Sequence, residues 1–274
     1  MPVMVMMLRL TALNDCILPP FTSKVTRLAF KELTGTLPSA RRRSSFSVLF
    51  RDGKPLYRRL MGRGEVSDLK VTCSRGDELT ARVSLLMSTN KLPVPRPSTT
   101  LRMGMAELRA EVADISVSSL ESLSLRPGRV FRVSFLTPTL LPVPGRGELL
   151  KVLGVKRRYK LVPDLALALA LLSYDLRLMN VADMGYAPVK LFNRAYKALA
   201  ELDFKVWPET VLYTVRDGKA VTERGFRGYV TYELLDNDER LLRQLSLLLG
   251  YANTFGVGKS RSIGFGHVSI ESLA

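Results

Sequence analysis

Apolar residues dominate Val3–Leu13 and stop at Asn14-Asp15, which predicts a buried strand at the start of the chain. After Pro19-Pro20, Thr22 or Ser23 can cap a helix whose apolar positions Val25, Leu28, Ala29 and Leu33 recur at helical spacing; Gly35 and Pro38 end it. Strands over Ser44–Phe50 and Leu56–Leu60 flank Arg51-Asp52-Gly53-Lys54, whose Asp-Gly step signals a hairpin. A second hairpin is expected from Val66–Ser74 and Glu78–Met87, turning at Arg75-Gly76-Asp77. Residues 88–100, with three prolines, read as a loop. A helical or irregular patch at Leu101–Leu108 then leads into a strand around Arg109–Val117.

Behind the Arg126-Pro127-Gly128 turn the pattern starts again. Val130–Leu136 reads as a strand, and Pro163–Asn180 and Lys190–Leu202 as helices. Phe204–Arg216 and Ala220–Leu235 are strands either side of Asp217-Gly218. Asp238–Leu249 is a helix, and Val268-Ser269-Ile270 belongs to a final strand. Both halves thus place a helix after their first strand and further strands behind it. The expected class is α+β, with two tandem ferredoxin-like domains at 1–125 and 126–274, joined near Leu125.

Charge changes this picture most. The 41 Lys and Arg outweigh 25 Asp and Glu, giving +16 and a pI near 10.1, and +8 falls on each half. Such a balance predicts salt-sensitive attraction to a polyanion. Ser39–Arg63 alone carries eight cations against one acid, with Phe46, Phe50 and Tyr57 among them. Arg41, Arg42, Arg51 and Lys54 therefore read as a basic hairpin that grips a nucleic-acid backbone. Lys156, Arg157 and Arg158 form a second basic cluster. Cys16 and Cys73 have no metal-ligand spacing, so they are expected as buried thiols in a reducing compartment, without a disulfide framework or a zinc site. No cofactor and no metal is expected. The apolar runs at Met1–Leu10 and Leu165–Leu172 are too short to span a bilayer, which points to a cytoplasmic protein with no membrane partner.

The most informative segment is Gly256-Val257-Gly258-Lys259-Ser260-Arg261-Ser262-Ile263-Gly264-Phe265-Gly266, four glycines with two cations between them. Glycines allow left-handed backbone and close approach, and successive N–H groups with Lys259 and Arg261 suit a phosphate. This loop resembles the glycine-rich loop of the Cas6 CRISPR-RNA-processing endoribonucleases, within the wider RAMP proteins. Phe131–Thr139 resembles the strand that opens that family's second domain, and Gly225–Val230 the strand preceding its last helix. Asp15–Val25 is similar to the first strand-to-helix junction of crenarchaeal members.

The resemblance implies cleavage of CRISPR repeat RNA (pre-crRNA) by 2′-OH attack without metal, leaving 2′,3′-cyclic phosphate and 5′-OH ends. Other Cas proteins and a second copy of the chain are further partners consistent with it. Many members use a first-domain histidine; here the sole histidine is His267, beside the glycine loop, and it reads as a strand residue. Matching segments instead suggest Lys24, Arg27, Arg43 and Arg224 as the catalytic set. Lys24 would orient or deprotonate the 2′-OH, or protonate the leaving oxygen, and the arginines would neutralise the phosphorane. Gly256, Gly258, Lys259, Ser260, Arg261, Gly264 and Gly266 would contact RNA. Trp207 and Tyr213 read as core. A non-catalytic RAMP-type crRNA-binding subunit stays open as the alternative.

Overall fold

A computed structural model of the protein describes residues 1–38, 43–60, 70–87, 93–142, 159–181, 185–217 and 219–273. Its contacts divide into two units. The first holds Met1–Leu123 together with Thr210–Glu223 and Arg261–Gly264; the second holds Ser124–Glu209, Arg224–Ser260 and Phe265–Ala274. Each unit is ferredoxin-like, and among the described residues one α-helix packs on the antiparallel sheet of the first unit and three belong to the second.

The first unit contains, in chain order, β1 (Pro2–Ala12), β2 (Cys16–Leu18), α1 (Ser23–Thr34), β3 (Ser44–Phe46), β4 (Phe50–Arg51), β5 (Lys54–Pro55) and β6 (Arg59–Leu60). β7 (Val71–Cys73), β8 (Glu78–Leu86), β9 (Ser98–Met103) and β10 (Ala106–Ser119) follow. β1 lies at the centre, antiparallel to β8 on one side and β10 on the other. Met4, Met6, Leu8, Leu10 and Ala12 alternate onto one face, where Val25, Ala29, Phe30 and Leu33 of α1 cover them. α1 stops where Gly35 turns left-handed at φ 74° and its N–H reaches the Lys31 carbonyl at 2.7 Å.

Three local expectations are corrected here. Thr22 is the N-cap residue of α1, but its hydroxyl does not cap; it donates to the Leu56 carbonyl at 2.6 Å and accepts from the Leu49 N–H at 2.8 Å. In the Val66–Ser74 segment the described strand, β7, pairs with β2 and not with β8, which β1 and β3 already flank. The Leu101–Leu108 patch is extended, turning at Gly104 (φ 60°) between β9 and β10. Leu101, Ala106 and Leu108 point inward while Arg102 and Glu107 pair outside at 3.0 Å, a two-residue period that a helix could not bury.

The second unit runs β11 (Val130–Thr139), β12 (Leu141–Pro142), β13 (Tyr159–Lys160), α2 (Leu165–Leu178), α3 (Pro188–Ala198), β14 (Leu199–Arg216), β15 (Lys219–Leu234), α4 (Glu239–Phe255) and β16 (Val268–Ser272), with the Thr210–Glu223 end of β14 and β15 belonging to the first unit. Its four long strands lie in the order β16-β11-β15-β14. That places the last strand beside the first and the third beside the second, the ferredoxin-like order. Asp164 caps α2 by accepting from the Leu167 N–H, and Asp238 caps α4 by accepting from Arg240 and Leu241. α3 ends at Ala198, four residues before the sequence pattern suggests, because Leu199 is already extended and begins β14. α4 runs to Phe255, past Leu249, since Tyr251, Ala252 and Phe255 continue its buried face.

The glycines of the second unit are fixed by its own backbone. A Cβ on Gly225 would lie 2.5 Å from the Thr139 carbonyl oxygen, and one on Gly256 2.5 Å from that of Gly266. At Gly266 φ is 69° and a Cβ would fall 1.9 Å from the Val257 carbonyl oxygen, as close as one on Gly228 would come to that of Lys205. Gly53, at φ 71° in the β4–β5 turn, has open space around it. Gly266→Ala should therefore cost on the order of 3 kcal/mol, against about 1 kcal/mol for Gly53→Ala. Denaturant midpoints of the two variants check this, and equal losses would refute the backbone-clash argument.

Candidate active site

Pro19-Pro20 and the buried Phe21 carry the chain from β2 into α1, and Phe21 forms an isolated β-bridge with Tyr57. Their rings lie 5.7 Å apart. Tyr57 leads into β6, which pairs with Thr210 and Val211 of β14, and the Leu212 N–H donates to the Arg58 carbonyl at 3.1 Å. This pairing delivers Tyr213 to the other side of Phe21, ring centroids 5.8 Å apart, and sets Thr214 beyond it. All of these residues belong to the first unit.

Lys24, in the first turn of α1, meets that strand. Its Nζ donates to Thr214 Oγ1 at 2.7 Å and stands 5.2 Å from the centre of the Tyr213 ring. Burial pushes the Lys24 ammonium below the ordinary lysine range. The N–H groups of the helix start are taken up internally, Lys24 donating to the Phe21 carbonyl and Val25 to that of Thr22, so the α1 dipole adds positive potential at Lys24 without offering those amides to an anion. Arg27, one turn further along α1, packs its guanidinium 5.8 Å from the Phe46 ring centre, and Arg59 lies 5.8 Å from that of Tyr57. Arg43 sits half-buried just before β3.

The glycine-rich segment reaches the same helix start. Ser23 Oγ donates to the Ile263 carbonyl at 2.7 Å, and Arg261–Ile263 form a 3-10 turn packed against β3. Gly264, at φ 98°, leaves no room for a side chain: a Cβ would lie 2.7 Å from Ser23 Cβ and 2.9 Å from the Phe21 ring. Arg261 is buried within this turn.

The remaining glycines do not form an open cradle of amides. Val257, Lys259, Gly264, Phe265 and Gly266 all donate their N–H groups to carbonyls of the protein, to Gly266, Leu140, Arg261, Ser260 and Pro138 respectively. Gly256 and Gly258 make close backbone approaches to Gly266 and Leu140. Lys259 projects as an exposed cation, and Ser260 holds a left-handed φ of 65°.

Arg224 is an exposed residue of the second unit, next to the backbone contact of Gly225. Lys54 is exposed in the β4–β5 hairpin. Arg51 is committed inward, donating to the Thr72 carbonyl at 2.7 Å and pairing with Asp77 at 2.8 Å. Arg41, Arg42, Lys156, Arg157 and Arg158 lie outside the described residues. His267 is buried, its N–H donating to Thr137 Oγ1 and its carbonyl accepting from Leu136. Trp207 and Tyr213, expected in the core, are both partly exposed: Trp207 is 37% accessible on β14, and Tyr213 faces Lys24. Among the described residues no group of three His, Cys, Asp or Glu could hold a metal ion, and no helix is long and apolar enough to cross a membrane.

Sequence reasoning singles out Lys24 but not the partners that hold it, Thr214 and Tyr213, nor the closeness of Gly264 to Ser23 and Phe21. Thr214 lies 190 residues from Lys24, and no local signal announces a pairing of that span.

Comparison with known proteins agrees with this architecture. Residues 4–118 match the Cas6 N-terminal domain, and residues 133–268 match the CRISPR-associated endoribonuclease Cas6. The CRISPR-associated endoribonuclease Cas6 1 of Saccharolobus solfataricus is 26% identical over 283 residues, covering 95% of this chain and 93% of that protein. A solved Cas6 product complex has a TM-score of 0.60 at 18% identity, covering 98% of this chain and 100% of that one. A Cas6-related protein from Pyrococcus furiosus has a TM-score of 0.54 at 14% identity, covering 98% and 100%. At those identities the two structures speak for the fold; with both halves of the sequence matched in order as well, the chain belongs to the Cas6 family of CRISPR-associated endoribonucleases.

Proposed function

We propose that the protein is a metal-independent endoribonuclease that cuts CRISPR repeat RNA by attack of a ribose 2′-OH on the adjacent phosphorus. The products are a 2′,3′-cyclic phosphate and a 5′-OH end. The observation that carries this reading is Lys24, held at the start of α1 by Thr214 and the Tyr213 ring and pushed by burial toward easier loss of its proton.

In this mechanism the phosphate settles at the helix start and Lys24 faces the leaving 5′-oxygen. The 2′-OH attacks in line, its proton passes to solvent, and Lys24 protonates the departing oxygen. A lowered pKa makes an ammonium a better acid near neutral pH, whereas arginine holds its proton too tightly for that role. Arg27 and Arg43 neutralise the growing charge on the phosphorane oxygens. Arg224, Lys54 and Lys259 serve as cations along the bound RNA. The glycine segment acts chiefly as a brace, seating Ser23 and Phe21 so that Lys24 projects correctly.

End-labelled repeat RNA incubated with the protein in EDTA should be cut at one position, and a single 2′-deoxy there should abolish the cut. Tight binding without any cut would favour the crRNA-binding subunit, a reading to which the absence of a first-unit histidine lends weight.

Lys24→Ala should lower the single-turnover rate about 10²–10³-fold with RNA affinity changed by less than about threefold. Thr214→Val should lower it by roughly tenfold. Unchanged rates in both variants would remove Lys24 from the chemistry.

The pH dependence has a definite sign. An acid must carry its proton, so the wild-type rate should fall as pH rises through the Lys24 pKa, starting below the range of an ordinary lysine. Lys24→Ala should lose that limb of the profile. An identical limb in the variant would assign it to another group.

A further inference from the structure

Cys16 and Cys73 stand directly opposite each other in the antiparallel pair of β2 and β7. Opposed residues of such a pair project from the same face with Cα atoms about 4.5–5.5 Å apart, within the roughly 4.4–6.8 Å that a disulfide spans. Both cysteines are free and buried, and their thiols lie within hydrogen-bond reach of each other. Arg51 completes the group: its Nη2 donates to Cys73 Sγ at 3.3 Å while Asp77 and the Thr72 carbonyl hold the guanidinium in place. Nothing in the cleavage mechanism uses either thiol.

Burial raises the pKa of both thiols, which slows oxidation. At Cys73 the Arg51 guanidinium works the other way, favouring the thiolate. Cys73 is thus the thiol equipped to react first, with Cys16 positioned to resolve the product.

We propose that Cys16 and Cys73 form an oxidation site that closes to an intramolecular disulfide when the protein meets hydrogen peroxide, a reagent small enough to reach buried sulfur. The Cys73 thiolate attacks one peroxide oxygen, becoming a sulfenic acid as hydroxide leaves. The Cys16 thiolate then attacks the Cys73 sulfur and expels the second hydroxide. The two thiol protons convert the hydroxides to two waters, so two thiols are oxidised and one peroxide is reduced. The bond closes the chain between residues 16 and 73, a loop that carries α1, Lys24 and the β4–β5 hairpin. It leaves Lys24 and its partners in place, so it fastens the first unit without occupying the site.

The test uses the full-length protein treated with hydrogen peroxide in its native state. Non-reducing peptide mass spectrometry should show the Cys16 and Cys73 peptides linked, with loss of two hydrogens and no added oxygen. The thermal midpoint should rise by about 5 °C or more and return on reduction. Cys16→Ser should abolish both effects and leave Cys73 as sulfenic or sulfinic acid. Arg51→Met should slow linkage by roughly tenfold without preventing it at higher pH. Two thiols still titratable after treatment, or oxygen added to both sulfurs of the wild type without a linked peptide, would overturn the proposal.

Discussion

Phe21 is the contact on which the first unit's functional region is assembled. It is fully buried, with Tyr57 on one side and Tyr213 on another, and the missing side chain of Gly264 leaves room for its ring edge. Four segments far apart in sequence therefore meet on one ring: the start of α1, the approach to β6, the tip of β14 and the glycine turn. An aromatic ring buries a large apolar area and tolerates few orientations in a packed interior. Lys24 follows three residues later, so the direction in which its ammonium points is inherited from that packing.

The electrostatics rest on this apolar base. Lys24 is half-buried against a tyrosine ring and a threonine hydroxyl, with no carboxylate among the partners that hold it. Burial therefore lowers its proton affinity, where a salt bridge would have raised it. Arg51 shows the opposite arrangement: paired with Asp77 and bound to a backbone carbonyl, it is turned from a surface cation into a structural one. A strongly basic composition thus divides into cations that hold the fold and cations left to meet an anion, and only three-dimensional contacts tell them apart.

How much of this could be read from the sequence follows from the range of the interactions. Strands and helices with a clear period were legible: β1, α1, α2 and β11 lie where apolar spacing puts them, and α4 begins where expected but runs on to Phe255. The order of elements was enough to suggest two ferredoxin-like halves. Pairing partners were harder, because β7 differs from an ordinary hairpin arm only in that β2 is available to it. At the candidate site, Lys24 stands out through its neighbours in sequence, while its contacts with Thr214 and Tyr213 do not, since long-range pairing alone brings them near. Tyr213 reads as a core residue in any strand of its composition; its ring instead spends one face on a cation.

The glycine-rich segment has a meaning beyond the contacts it makes. Gly256, Gly258, Gly264 and Gly266 are each demanded by a neighbouring carbonyl or side chain of the protein, and most of the amides around them are already spent on internal bonds. The motif therefore records an architecture. A descendant that had lost its cleavage chemistry, with lysine and arginines replaced, would still need every one of these glycines to fold. Such a signature is a mark of ancestry, and a census of related chains based on it would count active and silent copies alike.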